Sequence, residues 1–327
     1  MCIRDSFSVY GYEQWRIHPT LQLIAGLSYD LLTFPKNFRS APVSDDEETT
    51  GRLSPKAGVI WRPARATTVR FAYTRSVAGI AGEQSYRLEP TQVAGFNQSF
   101  RSIVPESVKG AQVGARFETY SISIEQAWPT DTYTALTGEI LKSKVRTHIG
   151  IFDYTGATFF AAPGDTPEHI DFEEKSIMLS LHQLIGDYFA IGGYYRLSEA
   201  SLDDAYPQFP DPPALFVAGA IPFAPHQHVE ALLHQVDVHA TVNHSSGAFG
   251  MAQAVWYGQN NLGYSGMGED EFWQFNLFLG FRFPQRHVEL AIGLLNIADQ
   301  DYRLNPLNIY RELPRERTLF ARCRLSF

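Results

Sequence analysis

Three consecutive segments near the end of the chain place apolar residues at every second position. They are residues 271–283, 287–296 and 317–327. Because successive side chains of a strand point to opposite faces, each segment predicts a strand with one wholly apolar face and one face that bears Arg, Gln or Glu. That pattern is typical of a strand that faces lipid on one side. The side chains predicted to face lipid are Trp273, Phe275, Leu277, Leu279, Phe281, Leu290 and Ile292.

The connections between strand-like segments alternate between short and long. Short turns are predicted at residues 18–20, 63–66, 129–131, 186–187, 244–247 and 284–286. Long polar or proline-rich segments are predicted at residues 34–52, 78–117, 146–170, 201–225, 261–270 and 298–316. Transmembrane barrels have short periplasmic turns and long extracellular loops. The pattern therefore predicts an all-β fold, a fragment of an antiparallel transmembrane β-barrel with about 13 strands.

Composition excludes other classes of protein. The longest apolar stretch, near residues 215–224, is interrupted by Pro222 and is too short for a transmembrane helix. Net charge is −8 and no basic stripe is present, so nucleic acid is not an expected partner. Cys2 and Cys323, the only two cysteines, lie at opposite ends of the chain and do not form a metal-binding pair.

The first residues do not look like a secretion signal, because no basic patch and no apolar segment precede the first strand. We interpret residues 1–6 as a non-native or unstructured leader and residues 7–327 as a partial barrel domain. Bacterial barrels have an even number of strands, with both ends on the periplasmic side. About 13 strands therefore predict that at least one N-terminal strand is missing and that the first and last strands do not pair regularly with each other.

Several stretches resemble the barrel domain of TonB-dependent receptors. Residues 52–76, RLSPKAGVIWRPARATTVRFAYTRS, resemble a hairpin of that family, and residues 296–303 resemble its Asn-x-x-Asp-x-x-Tyr step before the last strand, with Ala298 where an aromatic residue is usual. The last strand ends at Phe327, which resembles the signal read by the barrel-assembly machinery.

That resemblance implies location in the bacterial outer membrane and uptake of a scarce substrate, such as a siderophore, metal complex, vitamin or oligosaccharide. It implies lipid and lipopolysaccharide as partners. TonB would act only through a plug domain, which this sequence does not contain, and no cofactor is implied.

Two other interpretations stay open. Residues 88–98 and 120–133 resemble a receptor-type barrel that follows periplasmic tetratricopeptide repeats, so a porin-like or export barrel is the second hypothesis. An outer-membrane enzyme is the third. Ser180 and His182 share a strand face, but side chains two apart lie too far from each other for a nucleophile–base hydrogen bond, so no catalytic residue is predicted.

Candidate binding residues fall into four groups. His226, His228, His234 and His239, with Asp237, contain metal-ligating side chains in no compact set, so no metal site is predicted. The acidic run of residues 45–48 is interpreted as solvated. Charged residues predicted to face the lumen are Lys56, Arg70, Arg196, Arg282, Arg322 and Arg324. Candidate ligand-contact residues of two long loops are Tyr86, Arg87, Gln98, Phe100, Leu215, Phe216 and Phe223.

Overall fold

A computed structural model describes residues 5–37, 40–78, 89–98, 113–154, 161–209, 224–263, 269–283, 287–304 and 316–326. The strands are β1 (Asp5–His18), β2 (Leu21–Pro35), β3 (Glu47–Ala64), β4 (Thr67–Val77), β5 (Gln92–Val93), β6 (Phe96–Asn97), β7 (Arg116–Ala127), β8 (Thr132–Tyr154), β9 (Ala161–Ile185), β10 (Phe189–Ala205), β11 (His226–Asn243), β12 (Ala248–Leu262), β13 (Asp270–Arg282), β14 (Val288–Leu295) and β15 (Thr318–Leu325). In these ranges no helix is long and apolar enough to cross a membrane.

Thirteen strands form one antiparallel sheet in chain order, from β1 to β15, and only β5 and β6 lie outside it as a separate hairpin. The predicted strand number and antiparallel order are confirmed. Within the described residues β1 pairs only with β2, and β15 pairs only with β14. The sheet is therefore open, as predicted.

The predicted long connection at residues 146–170 is wrong in extent. β8 continues to Tyr154 and β9 begins at Ala161, with an unbroken register from Thr132 opposite Gln183 to Tyr154 opposite Ala161. The polar and proline-containing composition of this segment predicts a loop, but composition does not decide where the ladder ends. Backbone ladder bonds do not require apolar side chains, and here opposite charges face each other across the pair, as in Lys142–Glu173 at 3.0 Å. For the same reason β10 continues to Ala205 and β3 begins at Glu47, inside the acidic run.

The two faces of the sheet differ as the alternation predicted. The seven side chains predicted to face lipid are 38–52% exposed, whereas Gln274 between them is fully buried on the opposite face. Ten residue steps from Trp273 to Phe283 span about 34 Å along the strand, or about 25 Å across the membrane at the usual barrel tilt. This is the height of a lipid-facing band bordered by aromatic side chains.

The segment after β14 folds back onto the polar face, and its Asn-x-x-Asp-x-x-Tyr spacing has a physical reason. Asn296 and Asp299 adopt positive φ, which Asn and Asp tolerate better than most residues. The Asn296 side chain accepts from the Gln300 amide at 2.9 Å, and Asp299 Oδ1 accepts from the Arg317 amide at 2.8 Å. Tyr302 then stacks on Phe272 of β13, with ring centroids 4.7 Å apart. The segment is thereby fixed against the sheet wall.

Candidate functional site

The β5–β6 hairpin lies against the polar face of β2–β4. Its turn residues, Ala94 and Gly95, both have positive φ (50° and 94°), as the tightest hairpin turns require. Val93 and Ala94 pack with Ile24 and Ala72 of the sheet. The hairpin and β3 approach closely because Gly58 has no side chain: a Cβ at that position would lie 2.8 Å from Val93 Cγ1.

Polar contacts fix the base of this hairpin. Lys56 of β3 forms an ion pair with Glu89, and only 1% of the Lys56 side chain is exposed. Tyr12 Oη donates to Glu89 Oε1 at 2.6 Å, and Lys56 Nζ donates to Ser28 Oγ at 2.8 Å. Burial of an ion pair is favourable only when its remaining donors and acceptors are also satisfied. Tyr12 and Ser28 provide such hydrogen bonds to Glu89 and Lys56, so Glu89 anchors the hairpin to the sheet.

Substitution of Gly58 by valine is expected to detach the hairpin, because the added side chain overlaps Val93 and Ala94. Overpacking of this kind costs about 1–3 kcal/mol. Hydrogen–deuterium exchange of residues 89–98 should become faster, while exchange of the sheet stays unchanged. Gly11→Val is the matched control, since nothing lies within 4 Å of a Cβ at that position. Equal protection of the hairpin in both variants would contradict the packing described here.

The six cations predicted to face the lumen all lie on the polar side of the sheet, and five of them contact acidic residues. Besides Lys56, these contacts are Arg70–Glu125 at 2.8 Å, Arg196–Glu174 at 3.2 Å, Arg282–Glu289 at 3.0 Å and Arg322–Glu289 at 2.6 Å. Arg324 lines a cavity of about 430 Å³ at the short-turn end, together with Arg282 and Glu289. Most of this charge is therefore locally neutralised.

A second cavity, of about 170 Å³, lies at the opposite end of the sheet, where the long connections are. It is lined by Phe34, Glu48, Thr50, Arg52, Gly114, Arg116, Lys144 and Arg146. Four cations and one carboxylate line this cavity, and three of the cations also contact acids beside it: Arg116 contacts Glu118, and Lys144 and Arg146 contact Asp171. We refer to it as the rim cavity. Sequence reasoning missed it because its residues come from four distant segments that only the strand register brings together.

The first two histidines of the candidate metal group lie at the outer rim and contact acids. His228 Nδ1 lies 2.7 Å from Asp203 Oδ1, and its Nε2 lies 3.0 Å from Glu230 Oε1. His226 lies 3.8 Å from the same Asp203 oxygen. His234 is on the exposed face beside Tyr195, to which it is hydrogen-bonded at 2.8 Å. Among the described residues, no three His, Cys, Asp or Glu side chains come together as a metal site.

His239 and Asp237 lie on the polar face, where the neighbouring ring is His182. The ring centroids of His182 and His239 are 5.5 Å apart. His239 Nδ1 lies 2.7 Å from Asp237 Oδ1. Ser180 is two residues from His182 on β9, and the ring of His182 contacts that of His239. A single sequence gives no sign of this proximity, since it depends on the registers of three strands.

Of the candidate ligand-contact residues, only Gln98 lies in the described part of the chain. Gln98 is buried, and its side-chain Nε2 donates to Pro90 O at 2.6 Å and to Tyr12 Oη at 2.8 Å. The backbone carbonyl of Gln98 accepts a hydrogen bond from Thr74 Oγ1 at 3.0 Å. In this conformation Gln98 holds the hairpin in place. Tyr86, Arg87, Phe100, Leu215, Phe216 and Phe223 lie outside the described residues, and their role stays a prediction.

Comparison with known proteins identifies relatives of this fold. Residues 3–138 match the family model described as TonB dependent receptor-like, beta-barrel. No curated protein sequence matches the chain.

Solved structures with a similar fold include three receptors. The ferric-catecholate import receptor Fiu from E. coli K12 is 8% identical with a TM-score of 0.53, over 90% of this chain and 54% of that one. The ferric enterobactin receptor PfeA from Pseudomonas aeruginosa is 14% identical with a TM-score of 0.50, over 89% and 41%. The siderophore receptor PirA from Acinetobacter baumannii is 10% identical with a TM-score of 0.50, over 89% and 40%. The chain thus spans about half the length of these proteins or less.

Proposed function

We propose that this chain forms the wall of an outer-membrane receptor of the TonB-dependent family that takes up a scarce substrate, since residues 3–138 match the barrel model of that family. The substrate would bind on the side of the long connections and pass inward beside the polar face of the sheet. Energy would come from TonB through a plug domain. The single observation that carries the proposal is an outer apolar face combined with a polar inner face onto which the β5–β6 hairpin folds.

We propose an anionic metal chelate as the substrate, in the siderophore class. The rim cavity supports this class, because its lining brings Arg52, Arg116, Lys144 and Arg146 together around one space. The three solved structures of similar fold are receptors for ferric enterobactin, for ferric catecholates and for siderophores. Electrostatic attraction also raises the rate at which a charged ligand finds a site.

A porin-like or export barrel behind a repeat domain is less well supported, because the matched family model is that of receptors. For the outer surface, we propose contact with lipopolysaccharide phosphates. Support comes from Lys142 and Lys175, which both contact Glu173 beyond the apolar band of β8 and β9. Recognition by the barrel-assembly machinery through Phe327 stays a prediction.

Reversal of charge in the rim cavity tests the proposed substrate class. The double variant Arg52→Glu, Lys144→Glu is expected to weaken binding of a ferric catecholate by at least about tenfold, since each charged contact contributes about 1.5–3 kcal/mol. Binding to the purified full receptor would be measured by fluorescence quenching, and uptake by growth of iron-limited cells.

Lys36→Glu is the matched control, because Lys36 lies on the same rim beside Asp46 and is not part of the cavity lining. If the cavity variant and the control bind the chelate equally, the rim cavity is not the binding site. If ferric chelates do not support growth of iron-limited cells through the unsubstituted receptor, the proposed substrate class is wrong.

A further inference from the structure

Two imidazole rings converge over a glycine on the polar face of the sheet. In the antiparallel register, Gly192 of β10 stands between His182 of β9 and His239 of β11. A Cβ at position 192 would lie 2.2 Å from His182 Nδ1 and 2.7 Å from His239 Nε2. The two nitrogens therefore face one small space, and they are no farther apart than the sum of these distances.

Asp237 fixes the chemical state of one of these rings. A carboxylate only accepts hydrogen bonds, so the 2.7 Å contact places the proton of His239 on Nδ1 and leaves the lone pair of Nε2 directed at the space above Gly192. Asp237 is itself held, because its second oxygen accepts from Gln253 Nε2 at 2.5 Å. Gln253 Oε1 in turn accepts from Asn276 Nδ2 at 3.0 Å.

This arrangement has the form of a supported metal ligand. Metal-binding histidines commonly donate their other ring N–H to a carboxylate, which orients the ring and makes it more basic. Metal–imidazole bonds are about 2.0–2.1 Å long, so an ion just above Gly192 reaches both nitrogens with small rotations of the rings.

We propose that His182 and His239 form a two-imidazole site for a divalent transition-metal ion, with water in the remaining coordination positions. Cu²⁺ is the ion that such nitrogen ligands hold most strongly among the first-row divalent metals. The site is separate from the rim cavity and does not depend on the identity of the transported substrate. Water can reach both rings, since His182 is exposed and 23% of the His239 side chain is accessible.

The test is titration of the purified full receptor with CuCl₂, followed by electron paramagnetic resonance and calorimetry. The expected result is one tight ion per chain whose spectrum shows coupling to two imidazole nitrogens. His182→Ala and His239→Ala should each abolish the two-nitrogen spectrum. Asp237→Asn, which removes the supporting carboxylate, should weaken binding about 10–100-fold.

Glycine variants provide a test that leaves every ligand in place. Gly192→Ala fills the space between the rings and should abolish the site, whereas Gly138→Ala meets only an ordinary contact of 3.6 Å and should bind Cu²⁺ like the unsubstituted protein. His18→Ala, at the exposed turn after β1, is the control for surface histidines. Heat-modifiable migration in gels checks that each variant is folded.

The proposal is overturned if the two-nitrogen spectrum persists in the His182→Ala, His239→Ala double variant, or if the unsubstituted receptor shows no tight ion. It is equally overturned if Gly192→Ala leaves the affinity unchanged.

Discussion

Replacement of Glu89 by glutamine is expected to release the β5–β6 hairpin from the wall, because it leaves the Lys56 ammonium buried without its carboxylate. Loss of one partner of a buried ion pair costs about 3–5 kcal/mol. Amides of residues 92–97 should then exchange with solvent far faster, as measured by hydrogen–deuterium exchange of the folded receptor. The sheet strands themselves should keep their protection.

Two further variants test whether loss of the Glu89 carboxylate is the cause of the faster exchange. Glu125→Gln breaks the more exposed pair with Arg70, whose side chain also approaches Ala94 O, and it should cost at most about 1 kcal/mol. Lys56→Met combined with Glu89→Gln removes both charges, and it should recover most of the protection because no uncompensated charge stays buried. Equal exchange in Glu89→Gln and Glu125→Gln would show that Glu89 is not the anchor.

Arginine at position 277 is expected to destabilise the barrel in lipid by about 2–4 kcal/mol, the cost of a cation near the bilayer midplane. Leu277 is exposed on the apolar face of β13, midway between Trp273 and Phe281. The measurement is reversible urea unfolding of the full receptor in lipid vesicles. Leu262→Arg is the control: Leu262 is 65% exposed at the end of β12, beyond the band, and its substitution should cost only about 0–1 kcal/mol. Similar costs at both positions would mean that the exposed apolar face does not contact lipid.

The sequence was sufficient to predict the faces of β13 and β14, because alternation has a fixed period of two and membrane lipid selects one face. Trp273 and Gln274 illustrate the point, being 45% exposed and fully buried. It was not sufficient to predict where β8 and β9 end. Beyond the lipid boundary one face of the pair carries Lys144, Arg146 and Asp171, whereas Val145, Ile170 and Phe172 of the other face stay in a buried cluster. The composition of the outer face changes there, and the hydrogen-bonded ladder does not.

The inner hairpin and the histidine pair were missed for different reasons. The hairpin has a local signal, an Ala94-Gly95 turn between short β-type dipeptides, which would have predicted the turn but not its docking on Gly58. Contact between His182 and His239 has no local signal at all. It follows from two strand registers and from the missing side chain of Gly192, and these exist only once β9, β10 and β11 have paired.

The paired outer halves of β8 and β9 have a consequence for how this part of the sequence can change. From Leu141 to Tyr154 the two strands stay in register beyond the lipid-facing part of β8, which ends near Ile140, over roughly 40 Å of strand length. Lys144 and Arg146 both contact Asp171 across the pair, so a slip of one residue would separate these charges and turn them to the other side of the ribbon. β7 pairs with β8 as far as Lys144 and β10 pairs with β9 as far as His169, so beyond these residues β8 and β9 pair only with each other in the described part of the chain. The fixed register therefore extends the edge of the sheet as a two-stranded ribbon past the ends of β7 and β10, and changes of sequence within the ribbon must keep its pairs of opposite charge aligned.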